Sequence, residues 1–186
     1  AGSVAFGAGA LGGSAFAQSP VPDAEEDSID LTIAYPFYGD AEQAGISTPM
    51  QRHSVYMTFD LTSANPQDLQ VLLARWSAAI SQLMAGKTIG KVEPERTSAI
   101  GADTGEALDL APASLTVTIG LGPNVFTDTY GLSAFKPALM RELTQLPSDA
   151  LQPGLTGGDL SLQACADDPQ VAYHAIRNLA RMAKDT

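Results

Sequence analysis

The sequence has little of the material from which metal centres and disulfide frameworks are built. Its one cysteine, Cys165, excludes an intrachain disulfide and any cysteine-rich metal site. Its two histidines, His53 and His174, leave few ligands for a metal centre. Basic residues are scarce as well, since 10 Lys and Arg stand against 21 Asp and Glu and give a net charge of −11. Because nucleic acids and anionic membrane surfaces are bound by basic faces, neither is an expected partner.

What the sequence does contain is the balance of a folded domain. Hydrophobic residues make up 45% of the chain and charged residues 17%, which is typical of globular rather than disordered proteins. A chain of 186 residues is long enough to bury a substantial core. The composition therefore predicts one folded domain, with or without tails.

Residues 1–17 are typical of the hydrophobic region and cleavage site of an export signal. They carry no charge and five glycines, and they end in the small-x-small pattern Ala15-Phe16-Ala17 before Gln18. The stretch is too short and too rich in glycine for a stable membrane span. Its weak hydrophobicity is similar to that of twin-arginine signals, which predicts an exported protein, periplasmic or extracellular. A flexible Gly/Ala tail is the alternative.

An acidic linker follows over residues 18–30. Pro20 and Pro22 break regular structure there, and five acidic residues give the segment a solvated character. The acids lack the spacing and the turn glycine of a calcium loop. We therefore place the start of the folded domain, residues 31–186, after this linker.

Hydrophobic periodicity predicts the element order β-α-β-β-α. Strands are predicted over 52–61, around residues 115–119 and over 159–166, because apolar residues alternate there with polar ones. Helices are predicted to begin after the caps Asn65-Pro66 and Asp168-Pro169. This order is that of a ferredoxin-like α+β unit that lacks its last strand. The fourth strand of such a unit pairs beside the first, so the strand at 52–61 is predicted to leave an unpaired sheet edge.

Four side chains and one loop receive individual predictions. Trp76, within the first helix, is predicted to anchor the core. Cys165 is predicted to lie on the face of its strand opposite the core, as an inert thiol. His53 and His174 are predicted to be surface histidines, with His174 on a polar ridge beside Arg177 and Arg181. The long loop over residues 86–113 is predicted to be functional or covered by a partner.

Three stretches carry a resemblance to a known family: residues 36–49 (PFYGDAEQAGISTP), 115–126 (LTVTIGLGPNVF) and 146–181, which includes GGDLSLQACADDPQ. Together they resemble the dye-decolorising haem peroxidases, in their exported, deferrochelatase-like branch, over residues 29–184. This family combines two ferredoxin-like modules of the dimeric α/β-barrel type, so the resemblance implies the N-terminal half of such an enzyme. It also implies haem b, hydrogen peroxide and organic donors such as dyes or phenolics in the complete enzyme, with removal of iron from haem as a variant.

The family's catalytic residues are not recognisable in this chain. The family carries a GxxDG loop with a distal aspartate, a proximal histidine and a distal arginine, and no GxxDG occurs in the sequence. Residues 101–105 are superficially similar but have the wrong order, and neither His53 nor His174 matches the proximal position. We therefore predict no catalytic, cofactor-binding or metal-binding residue here, and a chain that holds no haem by itself. Its expected partner is the C-terminal haem-binding half of the same protein.

Two further roles follow from the resemblance. The loop at residues 43–46 contains Gly45, which permits close approach of the backbone to another module. Tyr38 and Trp76 are aromatic residues that either relay electrons from bulky donors or pack in the core, and core packing is favoured.

Two functional readings remain open. In the first, the chain is part of a peroxidase and is inactive alone. In the second, it is a non-enzymatic ferredoxin-like module that forms homo-oligomers through its open sheet edge.

Overall fold

The computed structural model of the chain describes residues 28–39, 42–94, 96, 99–141 and 144–184. The predicted export signal at 1–17 and linker residues 18–27 lie outside the described residues. No helix within the described ranges is long and apolar enough to cross a membrane.

The predicted order β-α-β-β-α is confirmed. Its strands are β1 (His53–Phe59), β2 (Thr116–Leu121) and β3 (Leu160–Ala166), and its helices are α1 (Pro66–Met84) and α2 (Pro169–Ala183). The connection between β2 and β3 contains four short 3₁₀ turns, at Pro123–Val125, Asp128–Tyr130, Ser133–Phe135 and Pro153–Leu155.

The three strands form one antiparallel sheet in the order β1-β3-β2. Side chains that are paired across the strands form rows. Successive rows lie on opposite faces of the sheet, because successive side chains of a strand point to opposite sides. One face carries apolar rows such as Met57, Leu162 and Ile119, and the other carries polar rows such as Tyr56, Gln163 and Thr118. The order 1-3-2 is that of a ferredoxin-like unit whose fourth strand would pair on the free side of β1, so the predicted fold class is confirmed.

Both helices begin at the predicted caps. The side chain of Asn65 accepts a hydrogen bond from Gln67 N at 3.1 Å at the start of α1. The carboxylate of Asp168 accepts from Gln170 N and Val171 N at the start of α2. Gly86 takes φ +68° directly after α1, where a residue without Cβ closes the helix without strain.

The core lies between the two helices and the apolar face of the sheet. Helix α2 packs across β3 and β1, and α1 packs beside α2 and against β2. Trp76 is fully buried at their junction, with its Nε1 donating to Leu179 O at 2.8 Å and its ring 5.6 Å from that of Phe59. The prediction that Trp76 anchors the core is confirmed.

The polar face of the sheet is partly covered by the chain that precedes β1. Gln51 Nε2 donates to Ser114 O at 2.9 Å and to Thr116 Oγ1 at 3.2 Å. Gly45 takes φ +101°, and a Cβ placed there would lie 3.1 Å from Thr118 Oγ1. The close approach that this glycine allows is therefore an approach to β2 of its own sheet; an approach to a second module stays a prediction.

Candidate functional site

The free side of β1 is the most exposed part of the sheet. β1 pairs with β3 on one side, and no described strand pairs with it on the other. Its burial reflects this position, because Met57 remains 36% exposed although its row partner Leu162 is fully buried. Unpaired backbone groups and a half-covered apolar row make β1 a place where another strand can be added.

An apolar groove of about 520 Å³ runs between β1 and α2. Its floor consists of Val55, Met57 and Phe59, which face the helices. Its wall consists of α2 residues one helical turn apart, among them Tyr173, Ile176, Ala180 and Ala183. The groove and the edge of β1 together form one continuous surface, which we call the β1 groove.

The rim of the β1 groove is basic, in contrast to the net charge of the chain. Arg177, Arg181 and Lys184 line it. Arg177 pairs with Glu106 at 3.0 Å, and Arg181 Nη2 donates to Gly101 O at 2.9 Å. Both arginines therefore line the groove and contact the long loop.

His174 is buried, so the prediction of a surface histidine is wrong. Its side chain is 4% exposed, and its Nε2 lies 2.8 Å from Oδ1 of Asp103, whose side chain is fully buried. The reason is the long loop, which folds over this flank of α2 and converts a polar position at the edge of the helix stripe into an interior one. The predicted polar ridge is thereby reduced to Arg177 and Arg181, which are exposed.

Asp103 holds the long loop together. Besides His174, its carboxylate accepts from Ile89 N at 2.9 Å and from Gly105 N at 2.7 Å. Burial raises the pKa of this carboxyl, but the hydrogen bonds from His174 and the two backbone amides outweigh burial and leave the pKa below its ordinary value. The sequence does not predict this role for Asp103, although the residue lies in the 101–105 stretch that is superficially similar to GxxDG.

Asn178 completes the contact between loop and helix. It accepts from Thr104 N at 3.2 Å, while its Nδ2 donates to Thr104 Oγ1 at 2.8 Å and to His174 O at 3.0 Å. One signal was present in the sequence, since His174 and Asn178 are spaced i, i+4 on α2 in a row that begins with the apolar Val171. Two polar residues in such a row indicate a buried polar contact when a loop with acids and threonines lies nearby.

Two further predicted residues, Cys165 and His53, lie outside the apolar groove between β1 and α2. Cys165 lies on the polar face, as predicted, where Gln163 Nε2 approaches its sulfur at 3.4 Å and Ser54 Oγ lies 3.6 Å away. Neutral neighbours of this kind do not activate a thiol. His53 begins β1, opposite Ala166, and is half-buried.

The prediction that Tyr38 packs in the core is also wrong. Packing in the core is the favoured prediction for Tyr38, but the residue is 59% exposed and its hydroxyl contacts Ser77 on α1. Phe37 takes the inward position instead and packs against the core. The role of Tyr38 as an electron relay stays a prediction.

The described side chains do not fit a haem peroxidase centre. Such a centre needs an axial ligand, an acid–base group and a cation around one haem. His174 is committed to Asp103 beneath the loop, and His53 lies in a different element, at the start of β1. Within the described ranges, no three His, Cys, Asp or Glu side chains come together as a metal site. No step of haem chemistry is therefore assigned to these residues.

Comparison with known proteins identifies a family. Residues 43–186 match the family model described as Dyp-type peroxidase, N-terminal. The chain is 30% identical over 186 residues to a deferrochelatase of Yersinia pestis, which covers 96% of this chain and 41% of that protein. It is 31% identical over 153 residues to the deferrochelatase of Escherichia coli K12, which covers 81% of this chain and 35% of that protein.

Solved structures agree with this assignment. A DyP-type peroxidase from Streptomyces coelicolor superimposes with a TM-score of 0.71 at 38% identity, over 83% of this chain and 39% of that one. Ferric DtpA from Streptomyces lividans gives a TM-score of 0.69 at 37% identity, over 82% of this chain and 38% of that one. The chain thus spans about two-fifths of the length of these relatives. With a family match over most of its residues and a matching fold, the chain belongs to the Dyp-type peroxidase family and corresponds to its N-terminal part.

Proposed function

We propose that this chain is the N-terminal half of a haem-dependent peroxidase, which uses hydrogen peroxide to oxidise dyes or phenolic donors. The observation that carries the proposal is an open sheet edge above an apolar groove, in a chain that spans 41% of a curated relative. Haem as the cofactor of the complete enzyme is supported by the ferric and oxyferrous states named for the matching structures of DtpA.

In this proposal the half supports the haem-binding half and does not hold haem itself. The β1 groove receives a strand from the C-terminal half. Because α2 runs back along β3, a strand that follows it and pairs with the free side of β1 runs parallel to β3 and antiparallel to β1, and the crossover between β3 and this strand is right-handed. Its apolar side chains cover Val55, Met57 and Phe59. Domain limits of 1–17 for the signal, 18–30 for the linker and 31–186 for the folded half are part of the same proposal.

The proposal is tested by supplying the two halves separately. We expect the complete polypeptide to bind haem and oxidise an anthraquinone dye with peroxide, and the 186-residue chain alone to do neither. Adding the C-terminal half as a second polypeptide restores activity if the halves associate. Peroxide-dependent turnover by the 186-residue chain alone contradicts the assigned role. A complete polypeptide that forms concentration-dependent dimers and stays colourless favours the non-enzymatic, self-associating module.

Removal of iron from haem is the proposed variant of this activity. It is supported by the name deferrochelatase given to relatives in Yersinia pestis and Escherichia coli. Incubating the complete protein with haem distinguishes the variants, because iron removal leaves a fluorescent metal-free porphyrin. Dye oxidation without release of the metal-free porphyrin would show that the protein has the peroxidase activity and does not remove iron from haem.

We also propose that the protein is exported, through a signal of the twin-arginine type. The support is the uncharged, glycine-rich stretch that ends Ala15-Phe16-Ala17. Terminal sequencing of the protein purified from its natural source tests this, with Gln18 as the expected first residue. Mature protein that retains residues 1–17 contradicts cleavage at this site.

A further inference from the structure

The connection between β2 and β3 is far longer than a hairpin turn and exposes apolar side chains. Its two ends lie side by side, since Leu121 is opposite Leu160 and Gly122 N donates to Asp159 O at 2.7 Å. Between them lie residues 123–158. We call residues 133–157 the tongue and residues 122–132 its base.

The base is fixed to the body of the domain. Val125 is fully buried in the core. The hydroxyl of Tyr130 donates to Ser63 O at 2.7 Å, next to the start of α1. The tongue therefore leaves a rigid support and is not a freely placed linker.

The tongue itself exposes large apolar residues. The backbone hydrogen bonds described for it belong to tight turns, such as Met140 N to Pro137 O at 2.9 Å and Leu155 N to Gln152 O at 2.9 Å. Leu139 is 92% exposed and Leu155 is 81% exposed. Within the described residues, the tongue contributes five of sixteen exposed large hydrophobic side chains, the others being Phe135, Leu146 and Leu151.

The charge of the tongue also differs from that of the chain. Two basic and two acidic residues give residues 133–157 no net charge, in a chain whose net charge is −11. Exposed apolar side chains without net charge are typical of an interface that becomes buried, because charged residues are depleted in interface cores.

The tongue and the last described residues lie at the same end of the sheet. The tongue leaves beside Leu121 and Leu160, and Phe59 of β1 is the register partner of Leu160. Ala183 and Lys184 line the β1 groove together with Phe59. Because α2 follows β3 and runs back along it, Lys184, the last described residue, lies toward the end of the sheet from which the tongue projects.

We propose that the tongue is a docking surface for the C-terminal part of the same polypeptide, separate from the β1 groove. This inference rests on the proposed function, because it requires the half that the relatives possess beyond the matched two-fifths. A segment joined to Lys184 reaches the tongue at a high effective concentration, which favours it over a second copy of the chain. The occupant is expected to present an apolar surface to Phe135, Leu139 and Leu155.

Photo-crosslinking in the complete, haem-loaded protein tests the docking surface. Phe135→p-benzoylphenylalanine and, in a separate variant, Leu139→p-benzoylphenylalanine place the probe on the tongue; both positions are exposed, so both variants are expected to fold. Val71→p-benzoylphenylalanine, on the exposed side of α1, is the matched control. The expected result is an intramolecular crosslink from each tongue position to residues beyond Thr186, in several-fold higher yield than from Val71.

Two results overturn the inference. Crosslinks that join two polypeptides, visible as a dimer on a denaturing gel, assign the tongue to a second copy. A yield no higher than that from Val71 shows that the tongue has no partner. Haem content and peroxide turnover of the same samples separate this failure from that of the proposed function. If the protein binds haem and turns over peroxide but gives no tongue crosslink, only the docking surface is contradicted. If it shows neither haem nor turnover, the proposed function is contradicted.

Discussion

At the scale of single residues, the carboxylate of Asp103 joins the long loop to α2. It is buried, it accepts from two backbone amides, and it faces a buried histidine. A buried carboxylate is stable only while such partners remain, because an unpaired buried charge is strongly unfavourable. The contact therefore fixes the loop and, through it, Arg177 and Arg181 at the rim of the β1 groove.

The two histidines provide a matched test of this contact. His174→Ala removes the only side-chain partner described for the Asp103 carboxylate and is expected to lower the free energy of unfolding by about 1–3 kcal/mol. His53→Ala removes a half-buried ring at the start of β1 and is expected to stay within about 0.5 kcal/mol. Urea unfolding followed by the fluorescence of Trp76, the single tryptophan of the chain, measures both. Equal losses in the two variants would show that the buried pair does not fix the loop.

The lowered pKa of Asp103 predicts an acid-sensitive component of stability. The folded state binds the proton of this group less readily than the unfolded state, so its contribution is fully present above the ordinary pKa of about 3.9 and is lost as the pH falls through the lower folded pKa. The stability difference between wild type and Asp103→Asn should therefore shrink as the pH falls below about 4.

Urea midpoints at pH 7, 5, 4 and 3 measure this dependence. Asp30 and Glu106, whose pKa values are also lowered, are present in both proteins and cancel in the difference. Asp109→Asn, at an exposed position of the same loop, is the control and should leave the pH dependence unchanged. A difference between wild type and Asp103→Asn that grows toward low pH would contradict the assigned direction.

At the scale of elements, β1 differs from β2 and β3 in what covers it. Its apolar row lies under α2 on one side and opens into the β1 groove on the other. A strand added there buries Met57 together with the free backbone groups of β1. The consequences of changing this row should therefore depend on whether the rest of the polypeptide is present.

Met57→Lys tests that dependence. In the complete protein the lysine would be buried without a partner and is expected to cost more than about 2 kcal/mol, seen as a lower thermal midpoint and lower haem content. In the 186-residue chain the same substitution should have little effect, because Met57 is 36% exposed there. Val71→Lys, at a comparably exposed position on α1, should be tolerated in both. Similar losses in both lengths of chain would show that no strand covers β1.

The order and the boundaries of the helices and strands could largely be predicted from the sequence, because they depend on local rules. The caps Asn65 and Asp168, the proline after each, and the alternation of Leu160, Leu162 and Ala164 determine where helices begin and which face of β3 is buried. The burial of His174 could not be predicted in this way. It depends on a contact with Asp103, 71 positions earlier, in a loop without periodicity. The outward position of Tyr38 likewise depends on which of two adjacent aromatic residues the core accepts.

At the scale of the whole molecule, the described domain has a complete core and an incomplete surface. Trp76 and its neighbours are fully buried, yet β1 lacks a partner on one side and the tongue exposes Leu139 and Leu155. The tongue leaves the sheet at the end where α2 finishes, and the free side of β1 runs along the neighbouring edge of the sheet. Such surfaces, in a chain that spans about two-fifths of its relatives, support the proposal of a half that a longer polypeptide covers.

Titration of haem into the 186-residue chain and into the complete polypeptide tests this account most directly, with the Soret band as the readout. The account predicts a sharp, stoichiometric band of a histidine-ligated haem for the complete polypeptide and none for the 186-residue chain. One equivalent of histidine-ligated haem bound by the 186-residue chain, and lost in His53→Ala or His174→Ala, would contradict it.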